Sequence, residues 1–327
     1  MINPASLNRR TALSLEGLIA ATFTPMGTDG AVAFAQIGPM VDFVITQGAQ
    51  GLYVLGSTGE GASLTTVERT RAADAFVRAA RGRVPVVVQV GHASIAESRS
   101  LAAHAAGVGA DAISATPPTY FKPETLDVLV ACMADIAAAA PALPFYYYHL
   151  PGVTGVRFDM VKFLEQGAGA IPNLRGIKFS DPQVFEMAAC IELQQGRFDI
   201  VFGYDEMMLS GFVAGARGAV GSTYNFAGPL YREIIAAFAA GRVSEAAEAQ
   251  QRAAAMVDII LKCGGRGGLK AMMAVMGCDC GPNRLPIVTM PPAQRKTMES
   301  LLTEAGILPH LRATRRCVTP PPAALAS

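Results

Sequence analysis

Eight short apolar runs recur along the chain, each followed by a longer stretch of helical periodicity, and they leave few architectures open. They read GLIAATF (17–23), GLYVLG (51–56), VPVVVQVG (84–91), ADAISATP (110–117), LPFYYY (143–148), LRGIKFS (174–180), FDIVFG (198–203) and GAVGST (218–223). The runs are nearly continuous in apolar residues rather than alternating, as in parallel strands buried on both faces. Between them the pattern turns helical. In TTVERTRAADAFVRAARG, Thr65 and Glu68 make a capping box, and Ala73, Phe76, Val77 and Ala80 line one face. Eight βα units predict an α/β protein built as a closed (β/α)8 TIM barrel. A doubly wound open sheet uses the same units, and strand count alone does not force closure.

The barrel is expected over residues 17–230, after an N-terminal lead-in of residues 1–16. LYREIIAAFAAGRVSEAAEAQQRAAAMVDIILKC and the later QRKTMESLLTEAG exceed one closing helix, which predicts a C-terminal helical region over 231–311 packed on the barrel. Residues 312–327, with three prolines and four alanines, read as a disordered tail.

Composition narrows the class of partner. Of 327 residues, 51% are hydrophobic and only 16% charged, below the usual quarter, so the chain has a large buried interior. A net charge of +1 offers no general attraction to nucleic acid or to an anionic membrane. The longest uncharged stretch, 136–156, carries three prolines and is no membrane helix. Arg9-Arg10 resembles the start of a twin-arginine signal, but Glu16 interrupts the apolar region and LIAATF is needed as the first strand. Six cysteines follow no regular framework, which predicts reduced thiols and a cytoplasmic location. Cys278 and Cys280 lack a second pair of donors at metal-binding spacing, so no metal and no cofactor are expected.

In a barrel of this kind, chemistry collects at the C-terminal ends of the strands. Those ends carry GSTGE, YYYHLPG, IKFSD, FGYDE and GSTYN. Lys178 interrupts an apolar strand, where a cation costs several kcal/mol to bury unless it is paired or neutral. Two readings follow. Lys178 is either a structural lysine paired with a carboxylate on a neighbouring strand, or a desolvated amine that attacks a carbonyl. GSTGEG (56–61) places Ser57 and Thr58 between a strand end and a helix start, a position suited to a carboxylate, although a plain βα turn uses the same glycines. GGRGGLK (264–270) lacks the spacing of a phosphate-binding loop. Tyr146 and Tyr148 share one face of their strand and Tyr147 takes the other. A phenol beside an amine relays protons. Asp205 and Glu206 read as ligands of a polar substrate, as the acidic start of a helix, or as both at once.

Taken together and in this order, GSTGE, YYYHLPGVTG, GIKFSD, FGYDE and GAVGSTYN resemble the N-acetylneuraminate lyase and dihydrodipicolinate synthase superfamily of class I, pyruvate-dependent aldolases, over residues 17 to about 300. The resemblance implies a homotetramer and a metal-free Schiff-base mechanism on a small-molecule substrate, pyruvate with a sugar acid. It places the Schiff base at Lys178, the proton relay at Tyr148 and the pyruvate carboxylate at Ser57 and Thr58. Ser180, Gly203, Asp205, Glu206 and Ser222 match positions that hold the sugar chain in the sialic acid lyases. The synthases usually carry GTTGE and an arginine soon after the tyrosine motif. Here the second residue of the first motif is Ser57, and Val153 stands where that arginine would fall. These departures favour cleavage of N-acetylneuraminate over the synthase reaction. Another 2-keto-3-deoxy sugar acid aldolase or dehydratase is the nearer alternative, and a pyruvate-binding protein without turnover the more distant one. His149 reads equally as a satisfied loop histidine or as a site residue, and Tyr120 in TPPTYFKP falls near the place of an aromatic that relatives lend to a neighbouring subunit.

Overall fold

The computed structural model describes residues 13–315. Arg9-Arg10, most of the expected lead-in and residues 316–327 of the expected tail lie outside them. All eight apolar runs are strands: β1 (Gly17–Ala21), β2 (Gly51–Val54), β3 (Val86–Gln89), β4 (Ala112–Ala115), β5 (Phe145–His149), β6 (Leu174–Phe179), β7 (Asp199–Phe202) and β8 (Gly218–Gly221). Each pairs in parallel with the next, and β8 returns to β1, with Gly17 opposite Gly218 and Ile19 opposite Val220. The sheet is therefore a closed barrel, and the open doubly wound alternative is excluded.

The connecting helices are α1 (Phe34–Thr46), α2 (Thr66–Ala80), α3 (Ile95–Gly107), α4 (Leu126–Ala138), the single turn α5 (Pro151–Thr154), α6 (Met160–Ala170), α7 (Val184–Glu192), α8 (Met208–Val213) and α9 (Tyr224–Ala239). The capping box of α2 is present, with the Thr65 hydroxyl accepting from the Glu68 amide and the Glu68 carboxylate accepting from the Thr65 amide. Such a cap is worth about 1 kcal/mol. Helix α2 also buries Arg69, whose guanidinium donates to the carbonyls of Gly91 and Gln89 and to the Gln89 side chain, so no carboxylate is needed to hold it.

Strand periodicity separates two cores. Side chains such as Ile19, Tyr53, Val87, Tyr148 and Val201 fill the barrel, while Leu52, Ile113, Tyr147 and Ile177 pack outward against the helices. Tyr146 and Tyr148 thus point inward and Tyr147 outward, against Phe163 at 4.6 Å between ring centres. At the closed end, Tyr146 donates to Asp199 Oδ2 at 2.7 Å, and the same oxygen accepts from the Leu15 amide.

Three further helices follow: α10 (Val243–Val275), α11 (Pro292–Glu304) and α12 (Ile307–Arg315). The boundary drawn at residue 230 falls inside α9, which closes the barrel by packing on β1, so the added region begins after it. Helix α12 carries the chain to Arg315, past the expected start of the tail at residue 312. The 33 residues of α10 break at Gly264 and Gly265, where Gly265 takes φ 54° and ψ −140°, a conformation open essentially to glycine alone. The GGRGG segment therefore breaks a helix. Among the described residues no helix is long and apolar enough to cross a membrane.

Candidate active site

Lys178 and Tyr148 are register partners on β6 and β5, side by side and facing into the barrel. Lys178 is 4% exposed. Its Nζ lies 3.9 Å from the ring centre of Tyr148 and 3.9 Å from that of Tyr53 on β2. The two rings meet edge to face, 5.6 Å apart at 76°, so the nitrogen occupies the corner between them. Among the described residues no carboxylate reaches ion-pair distance of Nζ. The structural-lysine reading required such a partner and fails. Burial pushes the Lys178 amine below its ordinary value, opposed by Tyr148 and, from further away, by Asp205. Burial also pushes the Tyr148 phenol up, but the Lys178 charge and the hydroxyls of Ser57 and Ser180 outweigh it and hold the phenol below its usual range. The pair is therefore arranged to pass a proton between nitrogen and oxygen.

The GSTGE turn stands opposite. Leu55, just before it, and Glu60, its last residue, take φ of 62° and 55°, unusual for residues with side chains. Thr58 Oγ1 hydrogen-bonds Ser222 Oγ at 2.7 Å, which ties the turn after β2 to the end of β8. No α-helix starts at this turn. A single 3₁₀ turn (Gly61–Ser63) follows, and α2 begins later, so the helix dipole expected to attract an anion is missing. Hydroxyls and turn amides remain as donors.

Glu60, the last residue of GSTGE, is 3% exposed and also lines the cavity. Its carboxylate accepts from Lys270 Nζ at 2.8 Å, Asn283 Nδ2 at 3.0 Å and the Arg284 amide at 2.7 Å. Lys270 also donates to the Pro282 carbonyl at 2.7 Å. Sequence reasoning treated this glutamate as part of a motif and missed its partners, because they lie more than 200 positions away.

On the far wall, Asp205 and Glu206 form a 3₁₀ turn (Asp205–Met207) ahead of α8, and neither side chain caps that helix. Both residues do stand at the acidic start of a helical stretch, without capping it through their side chains. Asp205 Oδ2 instead accepts from the Thr223 amide at 2.9 Å and the Thr223 hydroxyl at 2.6 Å, and that hydroxyl hydrogen-bonds Tyr231 at 2.8 Å. Burial raises the Asp205 carboxyl to about 6, against the lowering effect of the Thr223 bonds.

One cavity of about 250 Å³ joins these walls. Lys178, Tyr148, Ser57, Thr58 and Ser222 line it, as do Gly203, Asp205 and Glu206. Ser180 is the exception. It is buried behind the wall, its Oγ packed so closely under Gly203 that a Cβ there would lie 1.9 Å from it. Residue 203 has room only for glycine, and the pair shapes the floor. Val153 lines the cavity from the short helical turn α5.

Several lining residues were not foreseen. Val257, Leu261, Arg266 and Leu269 come from α10, and Asn283 and Ile287 from the segment after it. The break in α10 brings them over the barrel mouth. No local motif signals them. Tyr53 carried a signal that went unused, since its place in GLYVLG has inward parity.

His149 is neither a loop residue nor satisfied. It ends β5, is fully buried beside Phe179, and among the described residues neither ring nitrogen has a hydrogen-bond partner. Burial lowers it to about 4, so it is held neutral. It faces outward and is not part of the cavity. Cys280 donates to the Cys278 carbonyl at 3.7 Å, and among the described residues no cluster of three or more His, Cys, Asp or Glu is arranged to hold a metal ion.

Comparison with known proteins agrees with this geometry. A family model described as the dihydrodipicolinate synthetase family matches residues 14–305. The N-acetylneuraminate lyases of Rattus norvegicus and Homo sapiens are each 41% identical over 278 residues, covering 84% of this chain and 87% of theirs. Among solved structures, the N-acetylneuraminate lyase of Proteus mirabilis superposes with a TM-score of 0.87 at 37% identity, over 90% of this chain and 100% of that one. The sialic acid aldolase of Aliivibrio salmonicida also gives 0.87, at 36% identity over 91% and 99% of the two chains.

Proposed function

The chain belongs to the dihydrodipicolinate synthetase family, and within it we propose that the enzyme catalyses reversible cleavage of N-acetylneuraminate to N-acetylmannosamine and pyruvate. The observation that carries this reading is the buried Lys178 amine, held beside the Tyr148 phenol at the floor of a cavity walled by hydroxyls on one side and carboxylates on the other.

The chemistry follows from those positions. Lys178 Nζ attacks the C2 keto carbon of the open-chain substrate, and loss of water leaves a protonated imine. Ser57 and Thr58 hold the adjacent carboxylate. Acting as a phenolate, a form that Lys178 and the hydroxyls of Ser57 and Ser180 favour, Tyr148 takes the proton of the C4 hydroxyl. The C3–C4 bonding pair moves to form a C2–C3 enamine, and the aldehyde leaves. Tyr148 returns the proton toward C3, water adds to the imine carbon, and pyruvate departs with the amine restored. Asp205, Glu206 and Ser222 bind the sugar chain, and Ser180 supports Tyr148 from behind the wall. The substrate's own carbonyl serves as the electron sink.

Val153 favours this reading over condensation with an anionic aldehyde, because no cation stands at that point of the wall to pair a second carboxylate. Tyr120 and Phe121, 83% and 84% exposed and stacked edge to face, suit a subunit contact in a homotetramer. The thiols suit a cytoplasmic enzyme. Pyruvate release from a panel of sugar acids tests the assignment. N-acetylneuraminate should be the best substrate, and a preference for forming product from pyruvate and aspartate semialdehyde would replace it with the synthase reaction.

A further inference from the structure

Tyr53 lies in the middle of β2 with no part in the steps above. It is 1% exposed, and its hydroxyl donates to Ser114 Oγ at 3.0 Å across the barrel interior. Ser114 is itself fully buried on β4. That bond fixes the ring plane, and the fixed plane presents its face to Lys178 Nζ at 3.9 Å. Of the two buried lysines among the described residues, Lys270 is paired with Glu60, while Lys178 has ring faces where a carboxylate partner would stand. The face of an aromatic ring carries partial negative charge and attracts cations, most strongly where water is excluded.

The charge on this nitrogen changes during the reaction. Burial favours the neutral amine, which is the nucleophile. Once C2 is attacked and water has left, the same nitrogen is part of a cationic imine. A ring face at this distance favours the second state over the first, and the cation is stabilised without a carboxylate. A carboxylate there would hold the free lysine as ammonium and suppress attack.

Resting on the Schiff-base reading, we propose that Tyr53 is a further catalytic residue, whose ring face stabilises the protonated imine at Lys178 while Ser114 holds the ring in position. Tyr148 closes the other side of the corner but must also move a proton, so its contribution through the ring cannot be separated by substitution. That of Tyr53 can.

The test replaces Tyr53 by phenylalanine and then by mono-, di- and trifluorinated phenylalanine, which keep ring shape while weakening the negative face. Pyruvate imine formation is followed by borohydride trapping and mass spectrometry across a pH series. Two quantities are read: the apparent pKa of Lys178 in the trapping profile, and the pyruvate constant on the alkaline side of it. Successive fluorination should lower the first and weaken the second, by about tenfold from phenylalanine to the trifluoro ring. Tyr53→Phe keeps the ring face but frees it from Ser114, so both quantities should fall between wild type and the fluorinated rings, and the fluorinated series is read against phenylalanine. A flat series with normal trapping in the wild type overturns the role of Tyr53 alone. Absence of any pyruvate adduct on wild-type Lys178 overturns the Schiff-base reading beneath it.

Discussion

Glu60 and Lys270, separated by 210 positions, form an ion pair at 2.8 Å with both side chains 1% exposed. It joins the turn after β2 to the second half of α10, and so couples the hydroxyl wall of the cavity to the region that covers its mouth. The pair is hydrogen-bonded further by Asn283, the Arg284 amide and the Pro282 carbonyl, which is what makes a buried pair tolerable.

Breaking the pair from one side should be costly. Lys270→Met leaves a buried carboxylate, and about 3–5 kcal/mol of stability should be lost in urea denaturation. Adding Glu60→Gln should restore a substantial part of it. A single variant no less stable than wild type would show that the pair is not holding the two regions together.

Tyr148→Phe keeps the ring beside Lys178 and removes the proton carrier. We expect kcat to fall by roughly 10²–10⁴, with a smaller effect on KM. Tyr147→Phe, on the outer face of the same strand, should be nearly silent. Equal losses in the two variants would show that the choice of tyrosine is mistaken.

The contrast between these neighbours shows what sequence alone could carry. Strand parity separated Tyr147 from Tyr148 because a strand has period two, and eight apolar runs were legible because parallel strands are buried on both faces. Barrel closure and the identity of the mouth-covering residues were not. Val257, Arg266 and Ile287 enter the site through long-range packing and a helix break, and periodicity encodes neither. Ser180 matched a substrate-binding pattern but is absent from the cavity lining, because its hydroxyl is packed under Gly203, a contact between strand ends that the motif does not encode.

Two buried groups should shape acid stability in opposite senses. Asp205 has its folded value raised to about 6 above an ordinary value of 3.8, so the folded state binds more protons over that interval and stability falls as pH rises through it. His149, lowered to about 4 from 6.5, binds fewer protons when folded, so its contribution is lost as pH falls from 6.5 toward 4. Each amounts to about 3 kcal/mol at most. The contributions of these two groups should therefore nearly cancel between pH 4 and 6. Relative to wild type, Asp205→Asn should gain as pH rises across this range, and His149→Phe should gain as pH falls. Variant curves parallel to wild type would contradict both assignments.

Substrate tail recognition can be separated from imine chemistry. Glu206→Ala and Asp205→Ala should lower kcat/KM strongly for a full-length sugar acid and mildly for one with a shortened polyol, because unpaired polar groups then remain in either case. Pyruvate imine formation should be nearly unchanged. An equal loss on every substrate, accompanied by a drop in Tm, would assign these residues to support of the fold.

The central claim is that the buried amine at the end of β6 becomes covalently bound to substrate. Borohydride reduction in the presence of pyruvate, followed by peptide mass spectrometry, measures this directly. The added mass should sit on the peptide containing GIKFSD, at Lys178, with activity lost in proportion, and Lys178→Ala should show neither adduct nor turnover. An active Lys178→Ala enzyme, or an adduct on a different lysine, would contradict the account.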